Sequence, residues 1–202
     1  MGKYLLVVAA AVAAACSSGP GAPDESAYLQ EIAERRAAID RSFAESDDPV
    51  PREKRSLLLP LPYYPVDPSY NVPAMLKLSN ERPVFDIPTS TGTIRRMQVV
   101  GTLEFTLQGQ PMTLGAFVED GTQRIVDLFV PFADLTTGKD TYPAGRYLDL
   151  QPTPTGLYNI DFNRAYNPYC AYNEKYECPY PPPSNRLKIA VQAGEKAPKG
   201  SA

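Results

Sequence analysis

The sequence has no histidine, no tryptophan and only three cysteines among its 202 residues. Histidine is the commonest general base and metal ligand in proteins. Its absence excludes a Ser-His-Asp triad, a Cys-His pair and a histidine-ligated zinc site within this chain. The lysines and arginines are spread along a chain of net charge −3 rather than gathered into a basic stripe. We therefore predict no nucleic-acid partner, no metal site and no cofactor.

What the chain does contain is typical of a folded, β-rich protein. Hydrophobic residues make up 43% and charged residues 21% of the sequence, which is enough apolar surface for a core and argues against disorder. Proline reaches 22 residues and tyrosine 13. This composition favours short strands connected by many ordered loops.

The N-terminal segment predicts export. Lys3 precedes an uncharged run over residues 5–15, which is too short to span a membrane but suits a signal peptide. The letters AAAC at 13–16 resemble a bacterial lipobox, so we predict a signal peptide over 1–15 and a diacylated Cys16 on a tether over 16–23. Ser17 after the cysteine favours outer-membrane sorting if the cell has two membranes. The alternative is an ordinary cleaved signal peptide with an incidental Cys16.

The mature chain is predicted to be a single β-rich domain over 24–196, followed by a flexible tail over 197–202. A helix is expected over 24–46, with Asp24 as its N-cap. Five prolines predict an extended wrap, not a central strand, over 57–78. Alternating hydrophobicity within a β core over 84–191 predicts strands at 84–87, 93–98, 100–107, 112–118, 123–130, 146–150, 156–161 and 187–191. The expected fold is mainly β: an antiparallel sandwich or small barrel with one N-terminal helix and a long ordered Pro/Tyr-rich C-terminal loop.

A family resemblance runs through the second half of the chain. The blocks include TYPAGRYL at 141–148, DFNRAYNP at 161–168, a Cys-Pro at 178–179 and AGE at 193–195. Together these blocks resemble domain-of-unknown-function family 1684 of bacteria and archaea. The resemblance covers most of the mature chain, and it implies membership of a family but no established activity.

The pair Cys170 and Cys178 encloses a short loop. Thiols are normally oxidised after export, so we predict a structural disulfide. A thiol pair used for redox chemistry or metal binding is the alternative, although two thiolates without histidine would need carboxylates to complete a zinc site.

Polar and aromatic side chains concentrate between Pro131 and Glu195. Asp134, Asp140, Asp149 and Asp161 could supply a carboxylate pair, and the planar fork of Arg146 could hold an anion or close an ion pair with one of them. Asparagines in this segment are expected chiefly to fix turns. The candidate site residues are Asp134, Thr136, Tyr142, Arg146, Asp161, Asn163, Tyr166, Asn167 and Asn185.

Three functions remain open from the sequence, which does not decide whether the protein is an enzyme. The first is an envelope lipoprotein, anchored facing outside the cytoplasm, that binds a small anionic or sugar-like ligand or a partner protein. The second is a hydrolase or transferase that uses an Asp pair with Arg146, or Cys170 as a nucleophile. The third is a purely structural envelope protein.

Overall fold

The computed structural model describes residues 24–200. The predicted signal peptide, Cys16 and the tether lie outside the described residues, as do the last two residues of the predicted tail. The described helices are α1 (Glu25–Glu45) and the single turn α2 (Arg55–Leu58). Seven strands follow: β1 (Asn71–Leu78), β2 (Val84–Pro88), β3 (Ile94–Leu107), β4 (Gln110–Glu119), β5 (Leu128–Phe132), β6 (Arg146–Leu150) and β7 (Leu157–Asp161). Five short 3-10 turns lie at Arg52–Lys54, Pro68–Tyr70, Phe162–Arg164, Tyr169–Ala171 and Pro183–Asn185.

The strands form one antiparallel half-barrel, as the sequence predicts. Its order is β6-β5-β4-β3-β1-β7, and β2 pairs with the first part of β3. Most predicted strands are confirmed, and the strand predicted at 146–150 is observed as Arg146–Leu150. The segments predicted at 93–98 and 100–107 are a single strand, because a β-bulge between Val99 and Gly101 bends β3 without ending it.

The strand β1 corrects one prediction, because it is an inner strand between β3 and β7 rather than part of an extended wrap. Residues Ala74–Leu78 pair with β3, and Asn71–Met75 pair with β7. Pro73 therefore lies where β1 has a partner on one side only. A proline without an N–H donor is tolerated there.

Two other strand predictions were wrong, one in its bounds and one in the type of structure. The strand predicted at 123–130 begins only at Leu128 and runs to Phe132, where its ladder to β6 holds it. The segment predicted at 187–191 is extended but is not a strand. Its backbone pairs with Ala133, Leu135 and the Asp134 side chain instead of with a neighbouring strand. The alternating hydrophobicity of this segment still has a structural cause. Its buried side chains inside the half-barrel are those of Leu187, Ile189, Val191 and Ala193.

The helix α1 is confirmed, and Asp24 caps it by accepting from the backbone N–H groups of Ser26 and Ala27. Its apolar residues are only partly buried: Ile32 is fully buried, whereas Ile39 and Phe43 are half-buried. The helix packs outside the half-barrel, on a second small cluster of buried residues. This position leaves an open space between α1 and the outer face of the sheet.

Candidate functional site

Arg146 and Asp134 form a closed ion pair in the interior. The Arg146 side chain is 0% exposed, and its Nη2 lies 2.9 Å from Asp134 Oδ2. The same guanidinium donates to the backbone carbonyls of Val191, Ala193 and Glu195. The structure thus brings two of the predicted site residues together. Their charges are buried in the core and pair with each other, so they are not available to a ligand.

Asp161 lies in a different network and does not join Arg146. Its carboxylate accepts from the hydroxyl of Tyr28 at 2.8 Å and from Arg164 Nε at 3.0 Å. The neighbouring Asn163 donates to the Asp67 carbonyl and accepts from the Asp67 N–H. This cluster fastens α1 and the loop before β1 to the end of β7.

The remaining candidates divide between structural contacts and a cavity. Asn185 is fully buried and bonds to both backbone groups of Gly115 and to the Pro131 carbonyl. Thr136 donates to Asp134, and Tyr142 is half-buried. Of the nine candidates, the cavity described next is lined by Asn163, Tyr166 and Asn167.

A cavity of about 950 Å³ lies between α1, the outer face of the sheet and the segment over residues 165–179. The outer face contributes Phe129 from β5 and Tyr147 from β6, whose rings meet edge to face at 4.7 Å between centroids. Aromatic rings dominate the walls: Phe43, Tyr63, Phe129, Tyr147, Tyr166, Tyr169, Tyr172 and Tyr176. Such walls provide a large apolar contact area.

The disulfide segment forms one rim of this cavity. Cys170 and Cys178 are joined in a disulfide with Cα atoms 6.1 Å apart. Cys178 exchanges hydrogen bonds with Ser90 before β3, and the Pro179 carbonyl accepts from the Tyr147 hydroxyl at 2.6 Å. The bridge therefore fixes the rim against the sheet. A nucleophilic role for Cys170 would require its reduction, because the thiolate is the reactive form.

Two arginines of the cavity wall are poorly neutralised. Arg35 on α1 is exposed and makes no hydrogen bond or ion pair within residues 24–200. Arg95 on β3 lies 3.8 Å from the carboxylate of Glu119, and its charge also contributes to lowering the pKa of Glu177, which lines the same cavity. The other two arginines of the wall are engaged: Arg36 donates to the carbonyls of residues 64 and 163, and Arg164 bonds to two carboxylates. The arginines of the cavity that make no hydrogen bond within residues 24–200 are therefore Arg35 and Arg95.

Asp149 on β6 lies in the same wall. Its Oδ2 accepts from the hydroxyl of Tyr166 at 2.6 Å, and its other oxygen has no partner within residues 24–200. Burial raises the pKa of Asp149, whereas the bond from Tyr166 and the charge of Arg35 lower it. The side chain nevertheless reaches solvent at the surface of the cavity.

Glu195 lies at the base of the cavity and is 3% exposed. Its carboxylate accepts from the Tyr172 hydroxyl at 2.5 Å, the Asn167 N–H at 2.8 Å and the Tyr63 hydroxyl at 3.3 Å. Burial raises the pKa of Glu195 to about 7, against the lowering effect of these donors and of Arg146. It is thus a buried acid whose pKa lies near neutrality.

Sequence reasoning missed most of this wall. Arg35, Arg36, Arg95 and Glu195 were not among the candidates, and Asp149 was considered only as one member of a carboxylate pair. Arginines on a helix or a strand resemble ordinary surface residues when the partner elements are unknown. The one signal that could have found Glu195 is its position directly after a glycine in an otherwise alternating apolar segment.

Residues 24–200 contain neither a metal-binding cluster nor a membrane-spanning helix. No cluster of three or more Cys, Asp or Glu side chains there has an arrangement that could hold a metal ion. No helix in that range combines the length and the apolar character needed to cross a membrane.

The fold and the cavity define a small antiparallel half-barrel protein with an aromatic, arginine-bearing pocket on its outer face. The chain belongs to the family described as "Protein of unknown function (DUF1684)", whose model matches residues 59–196. It is similar to an uncharacterized protein of Haloarcula marismortui with a solution NMR structure, at 36% identity and a TM-score of 0.67. That match covers 86% of this chain and 96% of the other. No curated protein matches the sequence.

Proposed function

We propose that this protein is an exported lipoprotein that binds a small anionic ligand in the cavity between α1 and the sheet. The observation that carries the proposal is the pair of poorly neutralised arginines, Arg35 and Arg95, in a concave aromatic wall. A planar guanidinium binds carboxylate or phosphate oxygens through two parallel hydrogen bonds. An anion held there would accept from guanidinium donors that make no hydrogen bond within residues 24–200.

The size and lining of the cavity support a small-molecule ligand. Pockets for such ligands usually measure about 300–1,000 Å³ and combine apolar walls with a few polar groups. The cavity of about 950 Å³ lies within that range. Attraction between an anion and these arginines is stronger than in bulk water, because the surrounding rings lower the local dielectric response.

Thermal unfolding tests the proposal with a panel of small carboxylates and phosphates. A ligand at ten times its Kd stabilises the native state by about 1.4 kcal/mol. For a chain of this size we expect a rise in Tm of about 3–6 °C. The variants Arg35→Met and Arg95→Met should each lose most of that rise, because each removes one of the two charges that contact the anion.

The matched control is Arg41→Met, because Arg41 is an exposed arginine on the same helix that does not line the cavity. This variant should respond to anions as the unmutated protein does. An equal loss in the Arg35 and Arg41 variants would show a general charge effect and contradict the proposed site, as would a panel in which no anion raises Tm.

The anchor is proposed from Cys16, which two acyl chains would hold stably at a membrane. The disulfide between Cys170 and Cys178 supports an oxidising compartment outside the cytoplasm. Cells grown with a fatty-acid probe should label the protein, and the Cys16→Ser variant should lose the label. Retention of label by the variant would remove the anchor from the proposal without touching the cavity.

A further inference from the structure

The tyrosine hydroxyls of the cavity are largely occupied by the protein itself. Those of Tyr147, Tyr166 and Tyr172 donate at 2.6, 2.6 and 2.5 Å to a backbone carbonyl and to two carboxylates of the chain. Of the six tyrosines in the wall, only Tyr169 and Tyr176 have a hydroxyl without a hydrogen bond within residues 24–200, so the wall presents mainly rings. The charged groups that line the cavity with unused hydrogen-bonding capacity include the guanidinium groups of Arg35 and Arg95 and one oxygen of Asp149.

Asp149 lies where the main cavity meets a smaller one. The second cavity, of about 300 Å³, shares Arg95, Phe129 and Asp149 with the first. Phe129 and Asp149 are cross-strand partners of β5 and β6, so the ring and the carboxylate lie side by side. A free acceptor, the Arg95 guanidinium and an aromatic surface thus meet at this junction, and the charge of Arg35 on the main cavity wall also acts on Asp149.

We propose that the anion bound in this cavity is an α-amino acid with a large apolar side chain. Its carboxylate contacts Arg35 and Arg95, its ammonium group donates to Asp149, and its side chain packs among the rings beside Phe129. This inference rests on the proposed function, since it names the class of ligand for the same site.

The arrangement argues against two other classes of anion. A sugar acid carries many hydroxyls, and these would lose more hydrogen bonds to water than the few free partners on the wall could replace. A phosphate carries up to two negative charges, and the Asp149 carboxylate close to the arginines opposes the second of them. A single carboxylate beside an ammonium group matches the charges of Arg35, Arg95 and Asp149 together.

Isothermal titration with three probes tests this inference on the unmutated protein. L-Phenylalanine is a probe with all three features, 3-phenylpropionate lacks the amino group, and glucuronate is a carboxylate with a hydroxylated body. We expect phenylalanine to bind at least tenfold more tightly than 3-phenylpropionate, and glucuronate to bind most weakly. The difference between the first two probes reports the contact with Asp149.

The variant Asp149→Asn should remove that difference, because a neutral amide cannot form an ion pair with an ammonium group, and it should not weaken the binding of 3-phenylpropionate, because it removes a negative charge beside the arginines. Asp86→Asn is the matched control, since Asp86 is exposed on β2 and lies outside both cavities. The control should keep the tenfold preference. The comparison of probes on the unmutated protein is decisive even if the Asp149 variant unfolds.

The outcomes separate this inference from the proposed function. If 3-phenylpropionate binds and phenylalanine binds no more tightly, the amino-acid inference is overturned while anion binding stands. If glucuronate binds most tightly, the ligand is a sugar acid and the inference is again overturned. If no carboxylate or phosphate binds at all, the proposed function itself fails.

Discussion

Replacing Arg146 by Met should lower the free energy of unfolding by about 3–5 kcal/mol. The variant would leave the Asp134 carboxylate, now paired at 2.9 Å, as an uncompensated charge in the core. It would also remove the donor shared by the carbonyls of Val191, Ala193 and Glu195. Urea unfolding followed by circular dichroism measures the change.

The same substitution at Arg96 is the matched control. Arg96 is 65% exposed and lies 3.6 and 3.8 Å from the carboxylates of Asp86 and Asp120. Exposed pairs of this kind contribute less than about 1 kcal/mol. Equal losses at Arg96 and Arg146 would contradict a special role for the buried pair.

The double variant Arg146→Met with Asp134→Asn separates charge from packing. The amide oxygen can still accept from the Thr136 and Val191 N–H groups, as Asp134 Oδ1 does now. With both charges gone, no uncompensated ion remains, so the double variant should recover at least half of the stability lost by Arg146→Met. No recovery would show that the loss comes from packing and from the carbonyl contacts.

The pH dependence of stability should report Glu195. Its pKa is raised to about 7 in the folded protein, from an ordinary value of 4.5. The folded state therefore binds this proton more tightly than the unfolded state does, and the stabilisation is complete below pH 4.5. It is lost as the pH rises from 4.5 through 7, and it amounts to about 3 kcal/mol in total.

The variant Glu195→Gln isolates this effect, because an amide does not titrate. We expect the unmutated protein to lose about 3 kcal/mol relative to the variant between pH 4.5 and pH 8, measured by urea unfolding at both values. Both proteins carry the other carboxylates in common, so those contributions cancel. A stability difference that stays constant with pH would contradict the raised pKa of Glu195.

Local patterns predicted the strands well where each strand has a two-residue alternation of its own. The prediction of 146–150 matches β6, and the predicted strands 100–107 and 112–118 lie within β3 and β4, which Gln108 and Gly109 connect. The strand β1 was missed because prolines usually exclude inner strands, and only the staggered pairing of β1 with its two neighbours makes room for Pro73.

The cavity could not be predicted in the same way, because its polar groups come from elements that meet only after folding. Arg35 lies on α1, Arg95 on β3 and Asp149 on β6. No sequence spacing relates these three elements. Conversely, Arg146 and Asp134 did meet, but no pattern along the chain indicated that residues 191–195 would enclose them.

The carbonyl acceptors of Arg146 have a consequence for the order of folding. The guanidinium of Arg146 finds its three carbonyl acceptors within residues 191–195. This segment is closely packed, since a Cβ added at Gly194 would lie 2.6 Å from the Phe162 carbonyl oxygen. The interior charge therefore stays unsatisfied while those residues are still inside the ribosome. The core around Arg146 closes only once residues 191–195 have joined the folded half-barrel.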